Sequence, residues 1–430
     1  MKFPNTVSQN TFKAYLNVKQ SKENSSKHLN AISLDWDMNN IDSLRIMCIK
    51  SIADQWHEYP IFSDIPNIED RNYLLDIIDT QIPISILANY ITEDVFWRRC
   101  FTDKWKNMFP PVVDKPWITI FMEKYFSEMI ERLKPGQYSE EDLQNILDVC
   151  APHLETLKTN ELQPALDEEN NHVPFDFILS NLPQLKHIDL TFDLKSIGQN
   201  FYLRCSSISR SDIQSLSSGL KKCYELIGFR IHCNKLEPYM LQLLAHSLDK
   251  GSTNIENLTF SNCGCGDLGL VAFLDILNHE SFPNLKHLVL TNNNFTHEGI
   301  IELAEVIKTR NIQTLDLRLN PIGCDGAAAI FGIMLRGTPV QHLNMACCSI
   351  TDEIEPLLIL LLETNRVVRR MNLSSNKLGL DLGEKIAKTI DVAKQLQEFD
   401  LRNTEISAHD KWIIDSTILE NREKCNDLLC

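Results

Sequence analysis

The sequence predicts an α/β solenoid in which short parallel strands alternate with helices, preceded by an all-helical region. Three observations carry that expectation. One apolar template recurs seven times, at a near-constant step, through the second half of the 430 residues. The residue nine places into each copy is Asn or a small substitute for it. Before residue 165 the apolar residues instead follow the spacing of short helices.

The template puts apolar residues at positions 1, 4, 6 and 11. Leu226, Phe229, Ile231, Asn234 and Leu236 form the first clear copy. Copies starting at Ile255, Leu285, Ile312, Val340, Val368 and Leu396 follow in steps of 29, 30, 27, 28, 28 and 28 residues. A less regular copy, Leu185, Ile188 and Leu190, precedes them. Alternation over positions 4 and 6 predicts a short strand with those side chains turned into a core. Position nine turns the chain inward, so its side chain must satisfy backbone groups that would otherwise be buried unpaired. The residues expected in this ladder are Asn234, Cys263, Asn293, Asn320, Cys348, Asn376 and Thr404. The rest of each unit has helical spacing, as in Ile301, Leu303, Ala304, Val306 and Ile307, and Gly269, Gly299 and Gly326 are expected just before these helices. Period and template are those of leucine-rich repeats, and full helices at this length predict a ribonuclease-inhibitor-like horseshoe.

Upstream, residues 1–38 are polar and rich in Asn, Ser and Lys, which predicts a disordered or docking tail. Residues 39–165 form the expected helical domain, 175–424 the repeat domain and 425–430 a C-terminal tail. Apolar sets such as Ile118, Phe121, Tyr125, Met129 and Leu133 mark the helices, with Pro60, Pro66, Pro83, Pro110 and Pro111 between them.

The net charge of −16 argues against nucleic acid as the main partner, because phosphate binding requires clustered Lys and Arg. No apolar run is long enough to span a membrane, and the polar N-terminus is not a secretory signal. The thirteen cysteines are therefore expected as free thiols in a reducing compartment. Cys263 and Cys265, and Cys347 and Cys348, fall on repeat positions rather than in a zinc-type pattern, so no metal is expected. Gly264 to Gly269 matches G-x-G-x-x-G by letter but lies within a repeat unit, so no nucleotide cofactor is expected either. No catalytic residues and no small-molecule substrate are expected.

The outward strand positions are the functional candidates, since solenoids use such faces to hold partners. The expected contact residues are Arg230, His287, Asp316, Arg318, Asn344, Arg370, Asn372, Asp400 and Arg402. Arg318, Arg370 and Arg402 lead, because Arg is enriched at interface cores. In the helical region, Phe96, Trp97, Arg99 and Trp105 read as core or as a docking surface for a partner helix. Helices ahead of such repeats also suggest a substrate adaptor of a ubiquitin ligase with an F-box; Gln81-Ile82-Pro83-Ile84 is the nearest approach to its Leu-Pro start.

Phe96-Trp97-Arg98-Arg99-Cys100 with Trp105, Gly198-Gln199-Asn200-Phe201, and Glu398 to Arg402 with Glu420-Asn421-Arg422-Glu423 together carry a more specific likeness. The chain resembles the T-complex-associated testis-expressed leucine-rich-repeat family, subunits of the nexin–dynein regulatory complex of motile cilia and flagella. The resemblance covers roughly residues 65–425. It implies a non-catalytic axonemal scaffold in the cytoskeleton, with other protein subunits of the complex as partners. Ile354 stands where the repeat pattern has Gly, and the N-terminal tail has no counterpart in the family.

Overall fold

The computed structural model describes residues 42–109, 114–133, 139–162, 173–192, 208–233, 235–277 and 281–427. The chain divides into two compact units, Met1–Thr92 and Glu93–Cys430. The expected tail at 1–38, Asn234 and the segment Gly198 to Phe201 lie outside the described residues.

In the first unit, α1 (Leu44–Asp54), α2 (Ile68–Ile77) and α3 (Ile84–Tyr90) enclose a small core. Ser43 and Asn67 cap α1 and α2 by accepting the amides of Ile46 and Glu69. Trp56 is fully buried; its indole N–H donates to the Ile61 carbonyl at 3.1 Å, and its ring meets Tyr90 edge-on at 5.9 Å. The partner for the polar atom is what allows so large a side chain to be buried.

The second unit begins with α4 (Asp94–Lys104), α5 (Trp117–Arg132) and α6 (Glu140–Cys150). The Asp94 carboxylate accepts the Trp117 amide, fixing the start of α5. A nine-stranded parallel sheet follows, in strict sequence order. Its elements are β1 (Thr156–Leu162), α7 (Phe175–Ser180), β2 (His187–Phe192), α8 (Arg210–Leu220), β3 (Gly228–His232), α9 (Pro238–Gly251), β4 (Asn257–Ser261), α10 (Gly266–Leu277) and β5 (His287–Val289). Then come α11 (His297–Ile307), β6 (Thr314–Asp316), α12 (Gly323–Leu335), β7 (His342–Asn344), α13 (Glu355–Thr364), β8 (Arg370–Asn372), α14 (Leu380–Thr389), β9 (Glu398–Asp400) and α15 (Ala408–Asp427). This is the α/β leucine-rich-repeat solenoid, with a helical region ahead of it.

Three boundaries differ from the expected ones. The helices of 39–165 do not form one domain, because the division falls between Thr92 and Glu93 and leaves α4 to α6 with the repeats. The sheet starts at Thr156 rather than after 175. Leu154 and Leu157 keep positions 1 and 4 of the template, but Thr159 occupies the core position 6, fully buried, and Leu162 stands at position 9, which hides the copy. At the other end α15 runs through the boundary expected at 424, because Asn421 and Cys425 continue its packing face: Asn421 donates to the Ala393 and Leu396 carbonyls at 3.1 and 3.2 Å.

The ladder is built from side-chain amides. Asn293 donates to the Phe260 carbonyl at 2.8 Å and accepts the Cys263 amide at 2.9 Å. Asn320 donates to the Leu290 and Leu317 carbonyls at 2.9 and 2.7 Å and accepts the Asn293 and Phe295 amides at 2.8 and 3.2 Å. Asn376 repeats this with Met345, Leu373, Cys348 and Ile350. The Cys263 and Cys348 thiols point at the Ile231 and Leu317 carbonyls at 3.8 and 3.3 Å, and Thr404 donates to the Leu401 carbonyl at 2.7 Å. The residue before each of the six rungs from Cys263 onward (Asn262, Asn292, Leu319, Cys347, Ser375, Asn403) is left-handed, with φ between 55° and 62°. Asn suits that conformation and Leu does not.

A second ladder runs along the helix starts. Asp267 accepts the amide and hydroxyl of Thr296 at 2.9 and 2.7 Å, Cys324 accepts the Thr351 amide at 3.2 Å, and Asp352 accepts the Gly379 amide at 2.7 Å. Gly299 lies inside the first turn of α11, not before it, and the reason is proximity: a Cβ there would collide with the Asp267 carboxylate.

The first edge of the sheet is sealed by α5. Glu123 accepts the Thr156 amide at 2.9 Å and Glu131 the Asn160 amide at 2.6 Å, two turns apart on one helix face. Unpaired strand N–H groups would otherwise invite strand addition.

Candidate functional site

Strand register aligns the outward side chains into rows. One row runs Thr156, His187, Gly228, Asn257, His287, Thr314, His342, Arg370 and Glu398. The next runs Lys158, Asp189, Arg230, Thr259, Val289, Asp316, Asn344, Asn372 and Asp400. Arg230, His287, Asp316, Asn344, Arg370, Asn372 and Asp400 fall in these rows, whereas Arg318 and Arg402 lie two residues past the strand ends at Asp316 and Asp400 and in neither row. Lys158 of β1 and Asp189 of β2 join the rows; Lys158 was unseen in sequence because the β1 copy was hidden, and Asp189 belongs to the less regular copy at Leu185.

Much of this face is already paired within itself. Arg230 meets Asp189 at 3.2 Å, Arg318 meets Asp316 at 3.4 Å, and Arg370 meets Glu398 at 3.6 Å. Arg402 grips Asp400 with both ends of its guanidinium, at 2.9 and 2.6 Å. That fork geometry holds the Asp400 carboxyl below its ordinary value. The Asp316 carboxyl is instead pushed up by burial, against the opposing pull of Arg318.

Asp316, Asn344, Asn372 and Asp400 also have a local duty. Each accepts the amide two residues on, of Arg318, Ala346, Ser374 and Arg402, at 2.9–3.2 Å. These turns end the strands and start the bend towards the ladder. The four residues thus shape the rim as well as presenting polar groups on it. His287 pairs with the Thr314 hydroxyl at 2.9 Å. Burial, then the nearby Arg370, hold the His342 imidazole below its ordinary value.

The expected docking residues need correction. Phe96 and Trp97 are buried and cannot present a surface in the folded chain. Trp97 packs on Phe121 at 5.2 Å, and Phe96 meets Trp97 edge-on at 5.8 Å. The half-buried Arg99 lies over the Phe96 ring at 5.2 Å. Trp105 stacks near Phe101 and Phe121 at 4.8 and 5.3 Å and donates its indole N–H to Glu128 at 2.6 Å. Five aromatic residues, from α4, its C-terminal end and α5, bury more area together than any could alone, so the cluster collapses inward.

Among the described residues no helix is long and apolar enough to cross a membrane, and no group of three His, Cys, Asp or Glu is placed to hold a metal ion. Burial pushes the Cys100, Cys150, Cys223, Cys265 and Cys348 thiols up to about 12, which leaves them protonated and unreactive.

A family model described as leucine-rich repeat matches residues 283–304 and 309–331. The chain is similar to dynein regulatory complex subunit 5 of Mus musculus, 24% identical over 256 residues, which covers 55% of this chain and 51% of the mouse protein. It is likewise 24% identical to dynein regulatory complex subunit 5 of Chlamydomonas reinhardtii over 199 residues, 46% of this chain and 49% of the algal protein. The chain thus spans about half the length of the curated relatives it matches. Among solved structures, the leucine-rich repeat-containing protein LegL7 of Legionella pneumophila superposes with a TM-score of 0.40 at 15% identity, covering 67% of this chain and 87% of that one.

Proposed function

We propose that the chain is a non-catalytic scaffold subunit of an axonemal dynein regulatory complex, holding neighbouring subunits and thereby regulating dynein-driven motility of cilia or flagella. The observation that carries this reading is the similarity to subunit 5 in organisms as distant as a mouse and an alga. The strand face supports it physically. Its polar groups recur at a fixed step on a backbone pinned by two ladders, so a partner meets a preorganised surface and little ordering entropy is lost on binding. Its arginines are held by carboxylates on the same face, which favours exchange of ion pairs with a partner over non-specific adhesion.

The test is localisation of the tagged protein in cells with motile cilia or sperm flagella, before and after extraction with detergent and salt. Retention along the extracted axoneme is expected. A soluble cytoplasmic pool with no axonemal signal would overturn the reading and favour the ligase-adaptor alternative.

A further inference from the structure

Beyond the strand face, the first unit carries an apolar helix face that the described residues leave uncovered. Of α1 only Ile49 is buried, although Leu44, Ile46, Met47, Cys48 and Ile52 are apolar as well. A helix of this length gains most of its stability by packing such a face, so an open one is unfinished packing. Leu44 and Met47, on the side of α1 away from Ile49, are 77% and 49% exposed. Ile68, at the start of α2, is 63% exposed. Arg45 joins the two helix starts by holding Glu69 and Asp70 at 3.2 and 2.6 Å, so Leu44 and Ile68 flank one ion-pair cluster.

The other end of α1 is acidic. Asp54 and Glu58 stand where the helix presents its last carbonyls, and its final turn holds no basic residue to offset them. Neither acid has an ion-pair partner among the described residues; Lys50, one turn before Asp54, is held by Asp42 at 2.5 Å. Residues 42–92 together carry eight acidic and three basic side chains.

Residues 1–41 precede this face and lie outside the described residues. Their sequence supplies what the face lacks. The first 22 residues hold four lysines and no acid. Phe12, Tyr15, Leu16 and Lys19 follow the spacing i, i+3, i+4 and i+7, with Lys13 beside them. Ser43 lies 24 residues beyond Lys19, and a stretch of that length spans up to ~80 Å, several times the ~16 Å of α1. Covalent attachment sets the local concentration of this segment on the order of millimolar, so a contact too weak to hold a separate protein is enough to seat it.

We propose that residues 11–20 of this chain fold back over α1 as its apolar cover. Phe12, Tyr15 and Leu16 rest on Leu44, Met47 and Ile68, and Lys13 and Lys19 face Asp54 and Glu58. Cys48 stands at the margin of this contact and stays open to solvent. A second copy's α1 would instead set Asp54 and Glu58 against their own kind. The proposal concerns the first unit alone and goes beyond the scaffold reading, so its failure and a failure of axonemal retention are separate results.

The test treats the full chain with a water-soluble carbodiimide, which joins a lysine to a carboxylate only where the two touch. Chains grown in light and in heavy nitrogen are mixed in equal parts, and linked peptides are read by mass. Links from Lys13 or Lys19 to Asp54 or Glu58 within one chain are expected. In parallel, hydrogen exchange at the amides of α1 is expected to be at least tenfold faster in Phe12→Ser/Leu16→Ser and in Lys13→Glu/Lys19→Glu than in the unaltered chain. Absence of these links, or α1 exchange indifferent to either double variant, would overturn the proposal. So would links joining light to heavy chains, which would make the segment of a second copy the occupant.

Discussion

The side-chain oxygen of Asn320 accepts the backbone N–H of Asn293, the equivalent residue one repeat earlier, at 2.8 Å. Through its amide nitrogen the same side chain also holds the Leu290 and Leu317 carbonyls. One fully buried side chain therefore satisfies backbone from two repeats.

Replacing Asn320 with Leu leaves those groups buried without partners. The expected cost is about 1–3 kcal/mol, and less than that for Thr404→Val, whose hydroxyl makes one bond near the end of the array. Thermal unfolding followed by circular dichroism measures both, and an unchanged curve for Asn320→Leu would contradict its ladder role.

Leu319 offers the opposite effect. It is non-glycine, left-handed at φ 62° and exposed, so its side chain gains little from packing while its backbone is strained. Leu319→Asn is expected to stabilise the chain by about 1 kcal/mol, within the range that separates Leu from Asn in this conformation. The same unfolding experiment decides it; a loss of stability would mean that Leu319 makes contacts worth more than the strain.

The repeats were largely legible from sequence, because position 4 and 6 side chains of seven copies have one physical duty and one residue class meets it. What escaped were features that depend on neighbours in space. Thr159 satisfies a core position with a hydroxyl, and the Thr191 amide lies against that oxygen at 3.4 Å. The ladder from Asp267 to Thr296 and from Asp352 to Gly379 joins residues 29 and 27 apart, and Cys324 standing between the two Asp breaks the letter pattern that would signal it. Ion pairing such as Arg230 with Asp189 follows from strand register, which spacing alone does not fix across an insertion.

Charge reversal at Arg318, Arg370 and Arg402 is expected to leave the melting temperature nearly unchanged, since all three are exposed and salt-screened. If the strand face is the grip, capture of neighbouring axonemal subunits by the triple variant falls at least tenfold. Undiminished capture, with the fold intact, would move the interaction to another surface.

His187 and His342 are both held below the ordinary imidazole value of 6.5, first by burial and then by Lys115 and Arg370 respectively. Just below that value the folded chain binds fewer protons than the unfolded chain. The stability they contribute is present above pH 6.5 and is lost as the pH falls beneath it. Melting temperatures are expected to drop between roughly pH 7 and pH 5, and His342→Gln to make that drop shallower. An identical slope in the variant would show that other groups govern this window.

Thiol accessibility gives an independent check on the packing. Among the described cysteines, Cys48 and Cys347 are exposed, while Cys100, Cys150 and Cys348 are buried. A maleimide reagent should modify Cys48 and Cys347 in the folded chain and reach the buried thiols only on unfolding, as read by peptide mass. Early labelling of Cys348 would contradict its place in the ladder.

The two carboxylates that α5 lays along β1 have a meaning beyond local hydrogen bonding. Any further strand placed at that edge would have to displace Glu123 and Glu131 from the amides they hold, and would trap their charges out of water. The array therefore has a fixed zero mark. Every outward side chain lies at a set number of strand spacings from it, like graduations on a ruler that cannot be extended at that end. On the proposed reading of the strand face as a grip, this edge is where the rows available to a partner begin.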